Sequence, residues 1–234
     1  MKYFSLFFSL LLAGILISGC SHTNELAKYN INGQGMLFND QTSGDAASLQ
    51  IVNSTTGQNK EEKKDLGSVL ASIGSDILSE TSKQKIIDAV KTDSMASYVS
   101  EGLKNALVTY LSVKPVESVN DNPQFIVETT LTSCKLLTSQ SGVSVQVEAT
   151  ARIIDRTTGA IVWDDSETET VPIRSNGNYA DQDKNQTLNK VLGAVQLASL
   201  SETEIQNVVN QASKSAGRLM GDTLREDIIK SKQK

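Results

Sequence analysis

The chain has 234 residues, with 27 Asp and Glu against 22 Lys and Arg, a net charge of −5, one histidine and two cysteines. An acidic chain lacks the basic surface that phosphate backbones require, which excludes nucleic acid as an expected partner. A single histidine leaves no Cys/His metal cluster and no His-based triad to assemble, so neither a metal nor a cofactor is expected.

Lys2 followed by the apolar run Tyr3 to Ile17 has the layout of a secretory signal, and the run is shorter than the ~20 residues of a spanning helix. It ends in Ile17-Ser18-Gly19-Cys20, which resembles the lipobox of bacterial lipoproteins. The resemblance implies that residues 1–19 are removed as a signal peptide. It also implies that the Cys20 thiol takes a diacylglycerol and that the freed amino group takes a further acyl chain such as palmitate. Each buried methylene contributes ~0.8 kcal/mol, so one chain holds marginally and two or three hold firmly. Ser21 stands where an Asp would favour inner-membrane retention. By the same resemblance the address is the outer membrane, with the folded part facing the periplasm.

Residues 20–65 read as a lipidated tether, a weak strand in YNINGQGMLF and a polar linker, with His22 in the tether. The Gly33-Gln34-Gly35 spelling lacks the rest of a phosphate-loop frame. Lys60 to Asp65 mixes both charges and reads as a solvated stretch. Residues 66–230 read as one α+β domain. Leu66, Val69, Leu70, Ile73, Ile77 and Leu78 recur at helical spacing, followed by Ile86, Ile87 and Val90. A helix with the face Met95, Val99, Leu103, Ala106, Leu107, Tyr110 and Leu111 follows, capped by Asp93 or Ser94 and ended by Pro115.

The β signal then dominates. FIVETTLTSCKLL is rich in β-branched residues, and GVSVQVEATARII alternates Val143, Val145, Val147, Ala149, Ala151 and Ile153 with polar residues. Strict period two predicts one buried and one wet face. Asp155 to Gly159 forms a turn and AIVWDDSETETVPI returns, so residues 143–171 read as a long hairpin that Pro172 confines to an edge or an end. Leu188–Leu200 reads as a helix. Ser201-Glu202-Thr203-Glu204 spells a capping box before another, with Ile205, Val208, Val209, Ala212, Ala216 and Leu219 in a stripe and Gly217 suited to close packing on the sheet. The expected fold class is α+β, an antiparallel sheet of about four strands with helices packed on one face.

Asp164, Asp165, Glu167 and Glu169 cluster on the returning strand, with Asp155 across the turn. Carboxylates can pair as acid and base, but alternating strand positions do not converge as a Ca²⁺ loop does; the expectation is a solvated strand whose charge discourages edge pairing. Trp163 is expected in the core, and Cys134 as a small buried hydrophobe rather than a reactive thiol.

The segment FIVETTLTSCKLLTSQSGVSVQVEATARIIDRTTGAIVWDDSE resembles the sheet of small periplasmic lipoproteins that assist envelope machines. These are the auxiliary lipoproteins of ABC-type lipid transporters, the lipopolysaccharide-assembly lipoproteins and the curli-secretion type. The turn wording from Asp155 to Trp163 and the preceding helix ASYVSEGLKNALVTYL carry the likeness, over residues 94–172. The resemblance implies a non-enzymatic protein that acts by contact with an envelope protein partner and is bound to the membrane through its covalent lipid. It assigns no catalytic residue. Two other functions are weighed beside it: a carrier of lipid or a small apolar ligand in a cavity lined by Val143, Val145 and Val147, and an enzyme using the acidic strand. The alternating pattern leaves self-association through a strand edge open.

Overall fold

A computed structural model describes residues 22–44, 50–53, 80–139, 142–175, 195–196, 199–200 and 201–233. The signal segment, Cys20, the helical pattern at 66–78, the charge run before it and nearly all of the 188–200 segment lie outside the described residues. Within them the strands are β1 (Gly35–Thr42), β2 (Gln50–Asn53), β3 (Lys114–Val116), β4 (Phe125–Ser139), β5 (Gly142–Asp155) and β6 (Ile161–Ser175). The helices are α1 (Glu80–Ala89), α2 (Thr92–Leu111) and α3 (Glu202–Ser231).

The sheet order is β3-β1-β4-β5-β6, and β2 continues along the same edge of β4 as β1. The class is α+β, but the sheet is mixed and five positions wide rather than antiparallel with about four strands. β1 pairs parallel with both β3 and β4, and β2 pairs parallel with β4. Parallel neighbours need a long crossover, and α2 supplies one between β1 and β3. The weak strand expected in YNINGQGMLF is β1, inserted between β3 and β4 with Met36 and Leu37 buried.

The hairpin follows its sequence pattern. β5 pairs antiparallel with β4 and β6, and its residues 143, 145, 147, 149, 151 and 153 are buried. At its turn, Asp155 Oδ1 accepts from the Thr158 amide at 2.7 Å and from its hydroxyl at 2.8 Å. These bonds hold the Asp155 carboxyl below its ordinary pKa. Gly159 adopts φ 72°, where a side chain would strain the turn.

α2 contains no proline and buries Met95, Val99, Leu103 and Leu107, one residue per turn. It begins after Lys91 without a side-chain cap, so neither Asp93 nor Ser94 fills that role, and it stops at Ser112 in the left-handed region, φ 51°. Tyr110, expected on the inner face, is exposed. α3 opens on the expected capping box: Ser201 Oγ accepts from the Glu204 amide at 3.1 Å, and Glu204 Oε2 accepts from the Ser201 amide at 2.7 Å. Its 30 residues extend about 45 Å at 1.5 Å each. Its buried stripe continues through Met220, Leu224 and Ile228 in place of Leu219.

Both long helices lie on one face of the sheet, α2 over β1 and β4 and α3 over β5 and β6. The close packing expected of Gly217 is against α2 rather than the sheet. A Cβ there would overlap the Val99 carbonyl oxygen and stand 2.8 Å from Leu103 N, and Gly102 meets the Lys214 carbonyl reciprocally. These two glycines and Gly221, where a Cβ would meet the Ala106 Cβ, thus set the distance between the helices.

Candidate anchoring and contact site

The site is built where the first described residues, from His22 on, meet the folded body. Residues 23–25 add to the edge of β6 as an isolated bridge, Asn24 opposite Trp163. The Asp164 amide donates to Thr23 O at 3.1 Å, and the Glu25 amide donates to Val162 O at 2.8 Å. Asp164 returns the contact with its side chain, accepting from the Thr23 amide at 2.7 Å and the Thr23 hydroxyl at 3.0 Å. A turn of 3-10 helix at Leu26–Lys28 then drops Leu26 into the core, with Lys28 ion-paired to Glu25 on the surface.

His22 closes the arrangement. Its Nε2 lies 2.7 Å from Asp227 Oδ2 of α3, and its Nδ1 lies 3.9 Å from Asp164 Oδ1. The ring stands edge-on to Trp163, centroids 5.9 Å apart. Trp163, fully buried as expected, donates its Nε1–H to the same Asp227 Oδ2 at 3.0 Å. One buried carboxylate oxygen therefore joins the start of β6, the end of α3 and the third residue of the expected mature chain. A buried indole N–H requires an acceptor, and Asp227, 8% exposed, supplies it. His22 acts here as a latch: its Nε2 is bonded to Asp227, while its Nδ1 stands too far from Asp164 for a direct hydrogen bond. The single histidine, expected in a free tether, belongs to the body. The signal was non-local, since 205 residues separate it from Asp227.

The acidic strand is not solvated in the expected way. Asp165, Glu167 and Glu169 share the face of Trp163, Val171 and Ile173 and turn toward α3. Glu169 Oε1 accepts from Ser215 Oγ at 2.9 Å and Glu167 Oε1 from Thr223 Oγ1 at 3.2 Å. Asp165 Oδ2 is buried without a hydrogen-bond partner among the described residues. Burial first, then the charges of Glu167 and Asp227, push its pKa up to about 6, against the opposing Ser166 amide and His22. Glu167 and Glu169 thus pack the strand on the helix through hydroxyls. Among the described residues no group of three or more candidate ligands could hold a metal.

Cys134 is buried in the core and burial alone pushes its thiol up to about 12, so it behaves as the small hydrophobe expected. Val143, Val145 and Val147, named for a ligand cavity, are at most 1% exposed and pack with Leu131, Leu136, Val209 and Ala212. That filled core weighs against the carrier. A groove of about 530 Å³ lies instead between α2 and α3, lined by Asn105, Tyr110, Lys214 and Arg218 among others. No helix among the described residues is long and apolar enough to cross a membrane.

Comparison with protein-family models and with curated proteins returns no match. Solved structures that align with the chain include XCC0632 of Xanthomonas campestris, at 10% identity over 92% of this chain and 95% of that one, with a TM-score of 0.44. The PelC dodecamer of Paraburkholderia phytofirmans aligns at 14% identity over 76% and 87%, TM-score 0.31. Lipoprotein GNA1162 of Neisseria meningitidis aligns at 13% identity over 68% and 92%, TM-score 0.23. With every TM-score below 0.5, no functional reading rests on these likenesses.

Proposed function

We propose that this chain is a non-enzymatic lipoprotein of the bacterial envelope, acylated at Cys20, that serves an envelope transport or assembly complex by contact. The observation that carries the reading is the clasp: His22, two residues after the lipobox cysteine, is fixed to Asp227 and beside Asp164. A lipid on Cys20 would thus be joined to the body almost without slack, and the domain would be held at the membrane rather than on a leash. The hydroxyl-paired Glu167 and Glu169 and the buried thiol of Cys134 support contact over catalysis. Ser21 supports the outer membrane, facing the periplasm.

Two experiments test this. Cys20→Ala should move the protein from the membrane fraction to the soluble periplasm, and retention in membranes would contradict the tether. A mild-detergent pull-down of the lipidated protein should recover subunits of an envelope machine; recovery of lipid without protein would favour the carrier instead.

A further inference from the structure

The Trp163–Asp227 bond divides the anchored corner into two chemically different sides. β6 and α3 run antiparallel across it, as the pairs Trp163–Asp227, Glu167–Thr223 and Glu169–Ser215 show. In one direction lie Asp165, Glu167 and Glu169. In the other, β6 runs back to Ile161 and α3 runs on to Ile229, so both residues reach the same end of the molecule. They are 37% and 48% exposed. Val119, 50% exposed, belongs to this end too: it lies in the loop before β4, where Arg156 of the β5–β6 turn donates to Asn122 Oδ1 at 2.7 Å.

The sheet repeats the asymmetry on the face turned away from α2 and α3. Val116, Leu37, Ile126, Ile154 and Ile161 are successive register partners from β3 to β6, an aliphatic row across the whole width. The next row on that face, two residues farther from this end, reads Asn39, Glu128, Arg152 and Asp164.

We infer that this end enters the bilayer interface, with Ile161, Ile229 and Val119 seated among the lipid headgroups and the acidic stretch of β6 held away from the surface. The inference rests on the lipid anchor proposed above. Cys20 lies two residues from the clasped His22, at most about 7 Å of extended chain, so a bilayer holding its acyl chains must pass close to this corner. At this end the exposed Ile161, Ile229 and Val119 gain by leaving water, while the exposed Arg156 and Lys230 beside them can stay at headgroup level.

The test uses the full, lipidated protein carrying Ile161→Cys, Ile229→Cys, Val119→Cys or, as a control on the exposed outer side of β6, Thr168→Cys. Each is labelled with a nitrobenzoxadiazole dye and reconstituted into vesicles of phosphatidylethanolamine and phosphatidylglycerol. The buried Cys134 does not compete for label, and Cys20 is blocked by its lipid. Emission at 161, 229 and 119 should brighten severalfold, shift to the blue and be quenched by lipids brominated in their acyl chains, while position 168 stays water-like. Water-like emission at all four positions in protein that floats with the vesicles would overturn the inference and leave the tether standing, as would entry of position 168 alone. Protein that carries no acyl mass and does not float would remove the tether, and this inference with it.

Discussion

Replacing Asp227 with Ala should loosen the joint between the leading segment and the body by a calculable amount. The substitution strands the fully buried Trp163 Nε1–H, which now donates at 3.0 Å, and breaks the 2.7 Å contact to His22. A stranded buried donor costs about 1–3 kcal/mol and the lost histidine bond about 0.5–1.5 kcal/mol, together roughly 3 kcal/mol. For a domain of this size that is a fall in Tm of about 6–12 °C. Asp227→Asn keeps an acceptor for the indole and should cost about a third as much. The assay is thermal unfolding of the unlipidated Cys20→Ser protein followed by tryptophan emission, because Trp163 is the one tryptophan and sits in the clasp. His22→Ala should add less than about 0.5 kcal/mol in the Asp227→Ala background, since its partner is already gone. A Tm for Asp227→Ala within a degree of the parent would refute this reading of the clasp.

Other perturbations probe the packing behind it. Gly217→Ala gains about 1 kcal/mol of helix propensity yet forces a Cβ into the Val99 carbonyl of α2, so calorimetry should show a net loss of about 1–3 kcal/mol; an unchanged or raised Tm would contradict the close crossing. Asp165 has a pKa raised to about 6 from 3.8, so the fold binds its proton more tightly than the unfolded chain does and its charged form subtracts stability as pH rises through that window. Asp165→Asn should therefore stabilise the protein above about pH 6 and leave it unchanged below about pH 4, read from Tm against pH. Cys134 should resist an aromatic disulfide reagent in the native state and react fully in denaturant; rapid native labelling would contradict its burial.

The parts of the fold visible in the sequence were those whose physics is local. The alternation from Val143 to Ile153 is a half-buried strand whatever its neighbours, and the Ser201/Glu204 box starts α3 with contacts confined to one turn. β3 is poorly legible because it has three residues, and β1 because its parallel partners lie far along the chain. The acidic residues of β6 carried a usable signal. Trp163, Asp165, Glu167, Glu169, Val171 and Ile173 all fall on one face under period two, and Ser215 and Thr223 stand eight residues apart on α3 to receive two of the carboxylates. Charge suggested solvent, and the hydroxyls made a half-buried position tolerable. The clasp had no local signature at all: His22, Trp163 and Asp227 meet only because β1 to β6 and α3 are already in place.

The proposed function stands on Cys20 carrying the lipid and opening the mature chain. Mass spectrometry of the amino-terminal peptide, taken from protein extracted from its native membrane, tests it most directly. The expected peptide begins at Cys20 and carries a thioether-linked diacylglycerol and an acylated amino group. A peptide beginning at any other residue, or one with a free Cys20 thiol, would contradict it.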